Sequence, residues 1–473
     1  MKYILDSMRI MEKLKFELSF EYVPIEADAG YRGLIQKLHF IAKNHIVILN
    51  KNRREEIIDF LKSLEIEKEQ ELLCEKAGVE YTEDLTFSDL TDSALLDYLV
   101  TVLRTISWVE KDNLLLVKYS KTIWNTGWHN LAKQCRGKVF DLNTWEIVSY
   151  PFNKFYNLGE VEETSEERIT DLLNRANAVY VTDKKDGSAI IVTNYEGRIV
   201  INTNGEFDNE QVKWAKKLFE DKYSYFYNNI PEGYTFVFEL IHPENQIVLD
   251  YGDEKSLYLL GVRDLSTMVL KSYPELVDMA EKYHLDITES FEYTNLYDFI
   301  EKTQTETENI KEGWVFRVIT DTEDVMFKLK YQEYFKLHRL KSIPSLKKVY
   351  VLLQSGTLDD VLSVVESDIK DSVMKDISLI FDYIQEFKDI VAEEVIELKE
   401  KYKIEGELEK SVLIKIAQEM KVHPFGTYIL RAIKGQDIDS LFEILPKTSS
   451  FERLYKFTNE RLGITEDIWD SKE

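Results

Sequence analysis

The sequence predicts an α+β chain in which a central region of short, largely antiparallel strands follows a mostly helical region and precedes an all-helical one. Three observations predict this. Before residue 111 apolar residues recur at helical spacing; from about residue 113 to 329 the chain breaks into nine short β-like runs bounded by turn formers; beyond Ser345 the helical period returns and persists. Domains of about 100–200 residues would divide the 473 residues into two to four parts, and the pattern changes place three at 1–110, 111–345 and 346–473.

In chain order, Ile57, Ile58, Leu61, Leu64 and Ile66 form an apolar stripe that predicts a helix over 53–78, with Gly78 as its stop. Leu95, Leu96, Leu99 and Leu103 predict another over 88–105. This first region carries no catalytic motif. Strands are expected at 114–119, 137–140, 178–182, 189–194, 199–203, 235–241, 257–262, 313–319 and 325–329, with helices at 209–222 and 273–283 between them. Amphipathic helices are then expected at 358–373, 377–401 and 410–421.

Composition narrows the function classes. Hydrophobic content of 44%, charged content of 31% and only 8 Pro describe an ordinary folded protein. Lys2, Asp6, Arg9, Glu12 and Lys13 interrupt the first residues, so no secretory core or membrane span is expected and a cytoplasmic setting follows. Cys74 and Cys135 are the only cysteines, too few and too isolated for a disulfide framework or a Cys/His metal site. The net charge of -26 argues against a nucleic-acid partner, because phosphate binding draws on clustered cations. Between Met326 and Lys348, however, Lys328, Lys330, Lys336, Arg339, Lys341, Lys347 and Lys348 face the single acid Glu333. Such a basic stripe on an acidic chain can hold a polyanion at one place, although a solvated helix face has the same pattern.

The strongest chemical signal is Val181-Thr-Asp-Lys184-Lys-Asp186-Gly187-Ser188 followed by an apolar run. A strand enters a Gly turn and a second strand leaves it. Continued alternation would put Lys184 and Asp186 on one side and Lys185 on the other. A lysine amine attacks phosphorus only when neutral, which burial or a neighbouring cation favours. Lys-x-Asp-Gly alone is a weak signal, since a turn with surface charges reads the same way.

The ordered set of further motifs carries more weight. Tyr119, Cys135-Arg136-Gly137, Pro151-Phe-Asn-Lys154-Phe155-Tyr156, Lys184-Lys-Asp-Gly-Ser, Phe236-Val-Phe-Glu239, Leu257-Tyr-Leu-Leu-Gly-Val-Arg263, Glu312-Gly313-Trp-Val-Phe and Phe327-Lys328-Leu-Lys330 follow one another along the chain. From about Asn113 to His338 this series resembles the nucleotidyltransferase domain shared by RNA ligases, DNA ligases and mRNA capping enzymes, and most resembles the T4 RNA ligase 1 family. The resemblance implies an ATP-grasp-like ligase domain with antiparallel sheets. It implies that Lys184 carries AMP, with Lys330 and Glu312 as catalytic partners. Tyr119, Arg136, Lys154, Phe155, Gly187, Glu239, Lys328, Lys330 and Tyr334 would form the ATP site. Glu312 and Asp359 would position Mg²⁺ or Mn²⁺. Glu239 suits ribose hydroxyls, Phe155 offers a face to adenine, and the cations suit a triphosphate.

The chain departs from the family at Asn204, where a basic residue is usual, and its first 110 residues have no recognised counterpart. Helices rather than short strands follow the lysine pair, which favours the RNA ligase branch. The implied partner is RNA with 5′-phosphate and 3′-hydroxyl ends, with cleaved tRNA as one candidate. A DNA ligase or capping-type enzyme, and a non-catalytic RNA-binding protein that keeps the fold, are the rival readings. The sequence does not fix the oligomeric state.

Overall fold

The computed structural model describes residues 2–18, 46–65, 79–82, 85–121, 127–305, 311–331, 345–355, 367–404, 408–436, 438–442, 445–465 and 468–469, together with the single or paired positions 35, 38, 41–42, 74, 123, 358 and 362. The chain divides into two compact units, 1–339 and 340–473.

The first unit opens with helices α1 (Lys2–Leu18), α2 (Lys51–Ser63) and α3 (Asp92–Leu103). Side-chain caps set two of the starts: Asn50 accepts from Arg53 N and Thr91 accepts from Ala94 N. The helix expected over 53–78 is interrupted after Ser63, where Glu65 takes a left-handed φ of 53° that a continuing helix cannot accommodate; beyond Glu65 all of that span except Cys74 lies outside the described residues. Four strands follow, β1 (Ile106–Lys111), β2 (Leu114–Tyr119) and, after the short helix α4 (Asn130–Gln134), β3 (Arg136–Asp141) and β4 (Ile147–Ser149), all antiparallel in sequential order. Sequence reading missed β1. It joins β2 through Asp112 and Asn113, both at positive φ, the geometry of a two-residue hairpin turn. Leu115, Val117 and Phe140 of this sheet share one core with Leu95, Leu99 and Leu103 of α3, so residues on both sides of position 110 pack together.

The remainder of this unit holds β5 (Tyr156–Asn157), α5 (Glu166–Asn174), β6 (Ala178–Lys184), β7 (Ser188–Tyr195), β8 (Arg198–Asn202), α6 (Glu210–Asp221), α7 (Ser224–Tyr227), β9 (Tyr234–Ile241), β10 (Ser256–Asp264), α8 (Tyr273–Tyr283), β11 (Asp286–Ile287), β12 (Ser290–Phe291), α9 (Leu296–Thr305), β13 (Gly313–Ile319) and β14 (Asp324–Lys330). They build two five-stranded sheets, ordered β11-β10-β9-β7-β8 and β12-β6-β13-β14-β5, antiparallel except for the β10/β11 and β14/β5 pairs. Strand alternation divides the faces of the second sheet. Val181, Trp314, Phe316, Val318 and Phe327 pack into a core with Phe299 of α9, which leaves Lys184, Val315, Lys328 and Lys330 on the opposite face. In the first sheet Phe236, Phe238 and Leu240 pack with Phe219 and Phe226, and Glu239 takes the other face.

The second unit is helical throughout its described residues: α10 (Leu346–Ser355), α11 (Ser367–Lys401), α12 (Lys410–Glu419), α13 (Gly426–Ile433), α14 (Ile438–Phe442) and α15 (Thr448–Leu462). The break expected between 373 and 377 is absent, and α11 runs unbroken for 35 residues because no Gly or Pro interrupts it. The Phe425-Gly426 pair seen in the sequence has a packing reason, since a Cβ at Gly426 would lie 2.0 Å from Met420 O. Among the described residues no helix is long and apolar enough to cross a membrane, and both cysteines are buried and free.

Candidate active site

The register of the second sheet builds the centre of the site. Gly313 on β13 lies opposite Lys184 of β6 on one side and Lys330 of β14 on the other. It bears no side chain, and a Cβ there would meet Leu329 O at 2.1 Å. Two amines therefore flank one bare backbone position. The preceding residue, Glu312, reaches both: its Oε1 is 2.8 Å from Lys184 Nζ and 2.8 Å from Lys330 Nζ. Glu312 and Lys330 are buried, whereas the Lys184 side chain keeps 21% exposure. The second carboxylate oxygen, Oε2, is buried without a hydrogen-bond partner among the described residues.

The loop after β6 joins this centre to the other sheet. Gly187 N donates to Glu239 Oε1 at 3.0 Å. A Cβ at Gly187 would lie 2.3 Å from Leu240 O, so the close approach requires glycine. Burial pushes the half-buried Glu239 carboxyl up to about 8; Lys184 opposes that rise, and the charges of Glu312 and Asp186 add to it.

The expected shared face of Lys184 and Asp186 does not form, because β6 stops at Lys184 and strand alternation stops with it. Asp186 turns to the β9–β10 loop instead. Its Oδ2 accepts from Val248 N at 2.8 Å and Leu249 N at 2.7 Å, and its own N donates to the Tyr251 hydroxyl oxygen at 3.1 Å. Lys185 pairs with Asp183 at 2.8 Å and lies over the Tyr258 ring.

Two residues before Lys330, the buried Lys328 extends its amine to 5.7 Å from the Phe155 ring. β5, just after Phe155, runs parallel to β14, with Tyr156 opposite Phe327. Phe155 meets Phe152 edge to face, and Phe152 occupies the space above Gly261, where a Cβ would be 2.5 Å from the ring. Phe152 and Phe155 border a cavity of about 840 Å³ that Arg263, Arg317 and Met326 also line. Its wall also carries the carboxylates Glu275, Glu323 and Asp324, so the aromatic edge at Phe152 and Phe155 is the part that offers a face to a heteroaromatic ring.

Lys154 sits in an aromatic group, its amine 4.7 Å from the Trp128 ring and 5.1 Å from Tyr156, while Tyr119 packs against Trp128 at 4.9 Å. Arg136 pairs across the sheet with Lys118, and its buried Nε has no hydrogen-bond partner among the described residues. Lys118 was not singled out from the sequence. Its amine reaches Gly205 O at 3.0 Å and Glu206 Oε1 at 2.7 Å, bringing a cation beside Asn204 from another strand. Lys138 was missed as well: fully buried, it donates to Asn153 Oδ1 at 3.1 Å, and burial pushes its amine down to about 7. A lysine inside the apolar alternation of β3 was the available signal.

Lys184, Lys330, Glu312, Glu239 and Gly187 thus form one connected group, with Lys328 and Phe155 next to each other. Tyr334 and Asp359 lie outside the described residues, as do Lys336, Arg339 and Lys341 of the basic stripe. Among the described residues no cluster of three or more acidic, His or Cys side chains could hold a metal ion.

An RNA ligase family model, that of T4 RNA ligase 1, matches residues 134–335. A candidate RNA ligase of Thermovibrio ammonificans is 30% identical over 269 residues, which is 54% of this chain and 67% of that protein. The chain belongs to the T4 RNA ligase 1-like RNA ligase family. An RNA ligase of Rhodothermus phage RM378 is 23% identical over 303 residues, 51% of this chain and 67% of the phage protein. Solved structures superpose on this family member with low TM-scores. A Naegleria gruberi RNA ligase mutant with ATP and Mn gives a TM-score of 0.29 at 16% identity over 37% of this chain and 55% of that one. An archaeal ATP-dependent RNA ligase gives 0.37 at 14% over 67% and 82%. The family match itself opens just before Arg136 and closes just past Lys330, spanning the group centred on Glu312.

Proposed function

We propose that this RNA ligase family member joins RNA ends at the expense of ATP, with Lys184 as the residue that carries AMP. One observation supports the reading above others: two lysines from different strands, Lys184 and Lys330, converge at 2.8 Å on the same buried oxygen of Glu312. Of the two amines, Lys184 keeps the more exposed side chain and is the one an incoming phosphate can reach.

In the proposed cycle the neutral amine of Lys184 forms a bond to the α-phosphorus of ATP, and the bond to pyrophosphate breaks. AMP then passes from the lysine to an RNA 5′-phosphate, and a 3′-hydroxyl displaces AMP to make the phosphodiester. Lys328 and Lys330 supply charge to the phosphates, Phe155 stacks on adenine, Glu239 receives the ribose hydroxyls, and Gly187 leaves room for the backbone to approach. Arg136, Lys154, Tyr119 and Tyr334 complete the nucleotide site. Oε2 of Glu312, without a hydrogen-bond partner among the described residues, suits a hydrated divalent cation, Mg²⁺ or Mn²⁺, which keeps most of its waters and takes few carboxylates; when bound, that ion would supply charge neutralisation at the phosphates. Asp359 is a second proposed contact to it. The helical unit after residue 340 is the proposed reader of RNA shape, with cleaved tRNA as a candidate substrate, in a reducing cytoplasmic setting. The first 110 residues are proposed as a helical extension that supports the catalytic domain.

Incubating the protein with ATP, divalent metal and a 5′-phosphorylated single-stranded RNA bearing a 3′-hydroxyl tests the proposal. Circular or lengthened RNA is expected together with a protein–AMP adduct; labelling by GTP and not by ATP would overturn it.

A further inference from the structure

The β9–β10 loop, residues 242–255, is mostly exposed, yet it is tied to the nucleophile's own turn through Asp186. Between the loop and that turn lies a cavity of about 300 Å³ walled by Asp186, His242, Asn245, Asp250 and Tyr251. Asp186 is two residues from Lys184, so the cavity wall starts within about 8 Å of the nucleophile's Cα.

The wall is built for a flat ring. His242 is almost fully buried, and one face of its imidazole stacks on Trp214 of α6 at 4.7 Å with an interplanar angle of 4°. Its Nδ1 accepts from Glu244 N at 3.2 Å, which fixes the ring's orientation. Burial, with Lys255 and Lys217 nearby and Glu244 opposing, lowers the imidazole from its ordinary range. The floor is fixed too: Asn245 Oδ1 accepts from Ser188 Oγ at 3.1 Å and Gln211 Nε2 at 3.3 Å, linking the cavity to the strand that leaves the nucleophile loop.

The charges divide by chemistry. Carboxylates of Asp186, Asp250 and Asp253 line the cavity, which repels a phosphate inside it but accepts amino N–H groups. Lys217 and Lys255 are exposed close to His242, where a strand's phosphates would run. Unpaired RNA bases are recognised in this way, by stacking on an aromatic ring and hydrogen bonding at the edge.

We propose that this cavity receives one nucleobase of the RNA strand beside the junction, stacked on His242, with Lys217 and Lys255 meeting the adjacent phosphates. The inference rests on the RNA ligase reading above. It is tested by measuring the affinity of a 5′-phosphorylated single-stranded RNA for the full-length protein and for the variants His242→Ala and His242→Phe, with lysyl-AMP formation followed on the same samples. His242→Ala is expected to weaken RNA binding about tenfold, and His242→Phe, which restores a flat face, to bind within about twofold of the wild type. RNA affinity unchanged in His242→Ala, or lost equally in His242→Phe, overturns the pocket. A wild-type protein that takes no AMP would instead defeat the ligase reading, so the two failures are distinguishable.

Discussion

Glu312 holds the Lys184 amine at 2.8 Å from one carboxylate oxygen, and that same oxygen is equally close to Lys330. Three strand positions meet there only because Gly313 separates the two lysines without a side chain of its own. A buried carboxylate between two lysines fixes where both amines sit before any nucleotide arrives.

Replacing Glu312 with Gln keeps the volume and removes the charge. The two amines then share only a neutral amide oxygen, their mutual repulsion is no longer offset by a carboxylate charge, and Lys184 is held less firmly. Lysyl-AMP formation is expected to slow by about 100-fold, the size of effect seen when one preorganised electrostatic partner is lost. Single-turnover labelling with ATP measures it; a rate within twofold of wild type would remove Glu312 from the mechanism.

Glu239 makes stability depend on pH. Its folded carboxyl titrates at about 8, against an ordinary value of 4.5. Between these values the folded state holds a proton that the unfolded chain has released, so this residue's contribution to stability falls as pH rises from about 5 to 8. The melting temperature of wild type is expected to drop relative to Glu239→Gln across that window. Parallel melting curves for the two proteins would refute the assignment.

Lys138 has the opposite sign. Its amine is pushed down to about 7 from 10.5, so above pH 7 the unfolded chain binds more protons and the residue's contribution to stability rises with pH. Lys138→Met should be most stabilising relative to wild type near pH 6, and the gain should shrink toward pH 10. Urea unfolding at both pH values checks the trend.

Gly187→Ala forces a methyl to within 2.3 Å of Leu240 O. The β6–β7 turn must move away from β9, breaking the 3.0 Å bond to Glu239. A loss of about 1–3 kcal/mol is expected from the overpacking, with lysyl-AMP formation impaired as well. Unfolding curves paired with labelling measure both effects, and an unchanged midpoint would contradict the close approach.

Lys184, Glu239, Glu312 and Lys330 were picked out by the ordered motif series that resembles the RNA ligase family, each on or beside a readable strand, and the structure brings them together in space. The role of Asp186 was not legible, since its partners Val248, Leu249 and Tyr251 lie in an irregular loop with no periodic signal. β1 was missed because its Ile-Ser-Trp-Val run abuts a strongly helical leucine stripe and hides the change of period at Arg104. The unbroken helix expected over 53–78 is interrupted by the left-handed Glu65, a backbone feature that side-chain patterning does not report.

Of two adjacent lysines, Lys184 and not Lys185 is expected to accept the nucleotide. Peptide mapping after incubation with ATP and divalent metal, on wild type, Lys184→Ala and Lys185→Ala, tests it most directly. AMP is expected on Lys184 in wild type and in Lys185→Ala, and on no lysine in Lys184→Ala; AMP found on Lys185, or retained by Lys184→Ala, would contradict the account.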